Sequence, residues 1–205
     1  MDIKQQYRDA VEVLRSGGIV ALPTDTVFGL CAVAADRAAV ERVYDAKARD
    51  PKQAMPLFVA SIEQAELIAE MNDVARRLAA RFWPGALTIV VRKKRGYKSR
   101  ALAGGDTIAI RAPGDAAIRE MAAQLGPLTG TSANIAGHEE CHTAEDVREQ
   151  LGDAVDLIID APVAAAAEPS TIVDCTNERS LRVLRNGAIS RETIASALAG
   201  AVTLS

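Results

Sequence analysis

Short apolar runs rich in Ile and Val recur at Gly18–Leu22, Leu57–Ala60, Leu87–Val91, Thr107–Ile110, Leu157–Ile159, Thr171–Val173 and Leu181–Leu184. Their length and β-branched content predict strands. Between several of them apolar residues fall at helical spacing, over Gln5–Arg15, Ala38–Ala46, Ile62–Met71, Val74–Phe82, Ala116–Leu125 and Ala144–Leu151. Three of these helices begin on residues able to satisfy orphan amides: Ser61 followed by Gln64, Asn72, and Thr143 followed by Asp146. Strands alternating with helices predict an α/β fold, a single domain over residues 1–205 with a twisted, open, mixed sheet flanked by helices. No repeat or low-complexity linker interrupts it, and Ala164–Ala167 is too short to separate domains.

Composition narrows the class. Over 205 residues, 49% hydrophobic and 25% charged content is ordinary for a soluble globular chain, and no apolar run approaches the length of a membrane span. The polar start, Met1-Asp2-Ile3-Lys4-Gln5-Gln6, lacks the apolar core of a secretion signal. Cys31, Cys141 and Cys175 are odd in number and form no paired motif, which fits a reducing cytoplasm. A net charge of −3 argues against a protein that coats nucleic acid, so any polyanion site must be local. Arg92, Lys93, Lys94, Arg95, Lys98 and Arg100 surround Tyr97 after a predicted strand, a pattern that serves weak RNA binding at a hairpin tip or simply a solvated loop. The solvated loop is favoured, because one tyrosine is a poor stacking platform.

Candidate chemistry sits where strands end. Pro23 to Leu30 places Thr24, Asp25 and Thr26 after a predicted strand. These short polar side chains suit a small polar substrate, with Gly29 admitting close approach, and equally suit a capped turn. Lys47 and Arg49, beyond a helix end, either complement the helix dipole or neutralise a polyphosphate. Arg111 alternates in phase with Thr107 and Ala109, so the three share one face of their strand. There an arginine clamps a carboxylate or forms a structural ion pair. In Gly130-Thr131-Ser132-Ala133-Asn134, Ser132 and Asn134 hold ribose or phosphate, or organise a turn.

In order, Pro23–Leu30, Lys47-Ala48-Arg49, Trp83-Pro84-Gly85 with Leu87-Thr88, Thr107–Arg111 with Pro113, Ser132-Ala133-Asn134 with Gly137, Ser170–Asp174 and Arg185-Asn186-Gly187 resemble the threonylcarbamoyl-adenylate synthase family, also called the YrdC-type fold. The resemblance covers nearly the whole chain. It implies a basic groove on an open sheet, with L-threonine near Thr26, Arg111, Thr131 and Ser170. ATP would meet Lys47, Arg49, Thr107, Ser132, Asn134, Thr143 and Arg185, of which Lys47, Arg49, Ser132 and Asn134 would be catalytic. It further implies bicarbonate or CO2 as the third substrate, Mg2+ carried with ATP, and a threonylcarbamoyl-AMP product for the t6A modification of tRNA. Downstream tRNA threonylcarbamoyl-transferase proteins would consume that product. Phe28 stands where the family commonly has tyrosine, and Asp50 where proline is usual, which leaves the geometry after Arg49 less defined. The chain ends soon after Gly187, so the short, single-domain form is expected.

Two other readings compete. His138-Glu139-Glu140-Cys141-His142 matches the zinc-protease pattern H-E-x-x-H, which works only on a helix that puts both imidazoles on one face. Here it follows Ala136-Gly137 and precedes the cap Thr143, so a loop without metal is expected. The same groove could also bind RNA without catalysis, or activate a carbamoyl group on another substrate.

Overall fold

Capping and periodicity account for the helices in the structure, a computed structural model that describes residues 2–163, 168–198 and 203–204. The Ala164–Ala167 segment lies outside the described residues. Helices are α1 (Ile3–Arg15), α2 (Arg37–Ala46), α3 (Ile62–Ile68), α4 (Asp73–Phe82), α5 (Ala116–Leu125), α6 (Ala144–Leu151) and α7 (Arg191–Ala197). Ser61 accepts from the Gln64 amide, Asn72 from that of Ala75, and Thr143 forms a reciprocal capping box with Asp146. The expected helix to Met71 stops at Ile68, because Ala69 and Glu70 turn extended and pair with a neighbouring strand.

The strands are β1 (Val20–Pro23), β2 (Phe28–Cys31), β3 (Leu57–Phe58), β4 (Ala69–Glu70), β5 (Leu87–Lys93), β6 (Thr107–Arg111), β7 (Leu128–Thr129), β8 (Thr131–Ser132), β9 (Leu157–Ile158), β10 (Thr171–Asp174), β11 (Ser180–Arg185) and β12 (Thr203–Leu204). They form two mixed sheets. The smaller runs β8-β2-β1-β9, the larger β12-β11-β10-β5-β6-β3-β7 with β4 beside β5. A bridge between Val33 and Leu128 ties the two together.

Alternation explains why the sheets differ in burial. In the smaller sheet, Ala21, Phe28 and Leu30 point into a core shared with α2 to α4, while Val20, Leu22 and Cys31 pack against residues of α1 and α5. Both faces are covered, so β1 and β2 are buried throughout. In the larger sheet, Leu87, Ile89, Val91, Ile108, Ile110, Val173 and Leu181 fill one face with core contacts. The alternate residues of β5, β6 and β10 therefore face the opposite way, and they form the floor of a cavity.

Candidate active site

That floor is made by Thr88 and Val90 of β5, Ala109 and Arg111 of β6, and Ile172 of β10, under a cavity of about 330 Å³. The register of β10 on β11 slips between Ile172 and Val173, and the adjacent Leu184 and Arg185 both reach the cavity. The walls come from the β1–β2 turn with Thr24 and Thr26, from Gly130 to Ser132 around β8, from Arg49 and Met55, and from Glu140 and Ser170. Segments far apart in sequence thus meet at the seam of the two sheets.

On one side lies a buried guanidinium. Arg111 is 3% exposed, and its guanidinium is held on three sides. Nε donates to the Gly85 carbonyl at 2.9 Å, Nη1 to Thr26 Oγ1 at 3.0 Å, and Nη2 to Asp25 Oδ1 at 2.6 Å. Gly85 is brought there by the Trp83-Pro84-Gly85 turn, in which Trp83 Nε1 donates to the Leu87 carbonyl and the Gly85 amide to that of Ala112. Thr26 is itself fixed, its hydroxyl 2.9 Å from that of Thr24, which donates onward to the Val27 carbonyl. Burial lowers the pKa of Arg111 and the Asp25 carboxylate opposes that shift.

Beside it, Ser170 Oγ lies 2.8 Å from Thr88 Oγ1 and accepts from Arg185 Nη2 at 3.0 Å, while Arg185 Nε donates to the Ser170 carbonyl. Across the cavity Arg49 Nη2 donates to the Ala54 carbonyl at 2.9 Å. Burial lowers the pKa of Arg49 and of Arg185 as well. Three partly desolvated guanidiniums, Arg49, Arg111 and Arg185, share the lining with one acid, Glu140. A cavity of that charge stabilises an incoming anion.

Lys47 does not reach the cavity as a mobile charge. It is 2% exposed, and Nζ donates to the Ser132 carbonyl at 2.5 Å, the Asn134 carbonyl at 2.5 Å and Asn134 Oδ1 at 3.3 Å. All three ammonium protons are therefore directed at the β8 loop. Asn134 closes the arrangement, accepting from Ser132 Oγ and donating to the carbonyls of Ile135 and His138. Burial, then the nearby Arg49, bring the Lys47 pKa down to about 8.

The sequence-predicted residues divide accordingly. Thr26, Arg49, Arg111, Thr131, Ser132, Ser170 and Arg185 line the cavity, with Lys47 and Asn134 directly behind Ser132. Ala109 and Arg111 share a face as expected; Thr107, in phase with them, lies at the exposed start of β6 opposite Arg92 and is not part of the lining. Thr143 is exposed and its hydroxyl accepts from the Asp146 amide as the α6 cap, also outside the lining. Thr24, read with Asp25 and Thr26 as suited to a small polar substrate, also lines the cavity, whereas Thr88 and Glu140 line it without having been given a role. Thr88 stood within a quoted motif, whereas Glu140 carried only the signal of the H-E-x-x-H pattern. That pattern is not helical, the His138 carbonyl accepts from Asn134, and among the described residues no group of three or more His, Cys, Asp or Glu is placed to hold a metal ion.

In the basic run, Tyr97 is half-buried with its ring packed against the core, and burial raises its pKa to about 12. Arg100 pairs with Glu41 at 2.6 Å and lies over the Tyr44 ring. No helix among the described residues is long and apolar enough to cross a membrane.

A model of the Sua5/YciO/YrdC family, described as telomere recombination, matches residues 12–187. The chain belongs to that family. Within it, a putative threonylcarbamoyl-AMP synthase of Mycobacterium tuberculosis is 38% identical over 190 residues, 92% of this chain and 87% of that protein. The threonylcarbamoyl-AMP synthase of Pyrococcus abyssi is 36% identical over 192 residues, 92% of this chain and 56% of that protein. Among solved structures, P. abyssi Sua5 complexed with L-threonine superposes with a TM-score of 0.90 at 33% identity, covering 100% of this chain and 60% of that one. Escherichia coli YciO gives 0.79 at 25% identity, covering 91% of each chain. The chain therefore spans only part of the P. abyssi family member and most of the M. tuberculosis one.

Proposed function

We propose that this protein is an L-threonylcarbamoyladenylate synthase, a nucleotidyltransferase that makes threonylcarbamoyl-AMP and pyrophosphate from L-threonine, bicarbonate or CO2, and ATP, for t6A modification of tRNA. The observation that carries this reading is one cavity that gathers a guanidinium fork, short hydroxyls and two further arginines. The Arg111 fork with the hydroxyls of Thr26, Thr131 and Ser170 is the equipment for an amino-acid carboxylate and a small hydroxylated side chain. Arg49 across the cavity, Ser132, and Arg185 on the Ser170 side supply charge and donors for phosphates. A family member of 33% identity is complexed with L-threonine, which supports the first assignment.

In the reaction, the threonine nitrogen forms a bond to the carbon of CO2 and gives up a proton. A carbamate oxygen then bonds to the α-phosphorus of ATP as the bond to the β-phosphate bridging oxygen breaks, and pyrophosphate leaves with that electron pair. The protein's part is to place the carbamate in line and to stabilise charge growing on the phosphate oxygens. Arg49 and Arg185 do the latter as fixed, partly desolvated forks. Lys47 acts mainly by holding Ser132 and Asn134 in place. Mg2+ would accompany ATP, held on the protein side by Glu140, and would neutralise charge on the phosphates. Its usual demand of one or two carboxylates beside phosphate and water fits a lining whose acid is Glu140.

The test is purified protein with ATP, Mg2+, bicarbonate and L-threonine, following pyrophosphate release and the labile adenylate by rapid mass spectrometry, with each substrate omitted in turn. Pyrophosphate and the adenylate mass that depend on all three substrates support the assignment. Folded protein that binds ATP yet releases no pyrophosphate would turn the assignment toward another acceptor or a binding role.

A further inference from the structure

Arg111 is the residue on which threonine recognition rests in the function proposed above, and the structure shows what aims it. A guanidinium has five N–H groups. Three are committed, to Gly85, Thr26 and Asp25, which leaves one N–H on each terminal nitrogen for an incoming carboxylate. Of the three partners only Asp25 is charged, and its 2.6 Å contact is the shortest. Asp25 is not part of the cavity lining, so it meets Arg111 from behind.

What keeps Asp25 there is Gly114. A Cβ built on Gly114 would stand 2.8 Å from Asp25 Oδ2 and 2.9 Å from its Cγ, too close for the carboxylate to stay where it is. Gly114 does not have the left-handed φ that reserves a position for glycine, so the close approach is the constraint. The Pro113 and Gly114 carbonyls are pinned in turn by Arg119 Nη1 of α5, at 2.7 Å each. A chain of contacts thus runs from α5 through Gly114 and Asp25 to the Arg111 fork.

The geometry points to Asp25 as a positioning residue for threonine binding: its carboxylate, seated by Gly114, fixes the plane of the Arg111 fork so that the two remaining N–H groups meet the substrate carboxylate together. Neither residue touches substrate. Their effect falls on the amino-acid end and not on Arg49, which the Ala54 carbonyl supports separately.

The experiment measures L-threonine affinity by titration calorimetry, threonine and ATP KM values by pyrophosphate release, and Tm, for Asp25→Asn, Gly114→Ala, Asp25→Ala and the Asp25→Ala/Gly114→Ala double variant. Asn keeps an acceptor and loses the charge, so Asp25→Asn is expected to weaken threonine about tenfold while the ATP KM stays within about twofold. Gly114→Ala is expected to do the same, and to lose most of its effect in the Asp25→Ala background, where the carboxylate is gone and only the 3.0 Å approach to the residue 25 Cβ remains. Unchanged threonine affinity in Asp25→Asn overturns the inference. So do threonine and ATP constants that rise together with a fall in Tm, or a Gly114→Ala effect that persists undiminished without the carboxylate. A wild type that binds threonine but releases no pyrophosphate refutes the synthase assignment alone, since the calorimetric comparison still decides the role of Asp25. A wild type that binds no threonine overturns both.

Discussion

Replacing Lys47 by Met separates two roles for a lysine beside a phosphate site. If the ammonium holds the β8 loop, its removal orphans the buried Ser132 and Asn134 carbonyls; Asn134 Oδ1 keeps the Ser132 hydroxyl. Two unsatisfied carbonyls cost about 2–6 kcal/mol. Against this, an ammonium whose pKa falls from 10.5 to about 8 carries a burial penalty at neutral pH, roughly 3 kcal/mol, that Met relieves. The net change then lies between a gain of about 1 and a loss of about 3 kcal/mol, so stability at neutral pH discriminates poorly.

The pH dependence is sharper. Between about pH 8 and 10.5 the unfolded chain keeps the Lys47 proton and the folded one has released it, so this residue's contribution to stability rises with pH. The buried thiols act oppositely. Cys31, with an ordinary value of 9.0 raised to about 12 by burial, makes stability fall as pH climbs through the ordinary value, and Cys141 and Cys175 follow it. The effects of Cys31 and Cys175 are common to wild type and variant, whereas Cys141, whose pKa Lys47 lowers, is coupled to the lysine. The difference between the two reports Lys47 with that coupling, and should grow in favour of wild type by up to roughly 3 kcal/mol across that window. Urea unfolding followed by the fluorescence of Trp83, the one tryptophan, reads it directly. A difference that stays flat with pH would mean a solvated lysine free to meet phosphate, and the positioning argument would fail.

Other outcomes follow from the same contacts. Arg111→Lys keeps the charge and loses the fork, and should raise the threonine KM about tenfold or more with little change in that of ATP; a parallel loss of both would refute the assignment of the amino-acid end. Arg49→Ala should lower ATP-dependent turnover at least tenfold, and steady-state kinetics at saturating threonine measure it. Gly187→Ala would put a Cβ 2.1 Å from the Pro169 carbonyl, so Ser170 and Arg185 must shift; a fall in Tm and loss of turnover together are expected. His138→Ala and His142→Ala should each leave turnover and bound-metal content unchanged, as read by kinetics and elemental analysis.

The local signals in the sequence carried much of the fold. Caps at Ser61, Asn72 and Thr143 mark α3, α4 and α6 because their physics is contained in a few neighbouring residues. Phe28-Gly29-Leu30-Cys31 is a strand that none of the predicted apolar runs includes. Its two faces enter different cores, so no alternation of polar and apolar residues announces it. β7 and β8 are two residues each and exist only through their partners, and α7 likewise escaped periodicity. The site shows the same division. Thr26, Arg111, Ser132 and Ser170 stood in recognisable motifs, but the contacts that define their roles span long stretches of chain. Lys47 lies 85 residues from Ser132 and Asp25 lies 86 from Arg111, and such meetings depend on the seam between the sheets. Thr107 illustrates the converse: correct phase on a strand does not say how far along it the cavity extends.

Every buried side-chain nitrogen and oxygen among the described residues already has a protein partner. The cations around the cavity are thus held ready by the fold itself, and no buried polar atom among the described residues waits wholly unpartnered for a nucleotide or amino acid. Folding and ligand capture are therefore separable events in the life of this chain. Ligand-induced thermal shifts should follow occupancy alone, rising with the logarithm of ligand concentration above Kd without a break that would signal a refolded site.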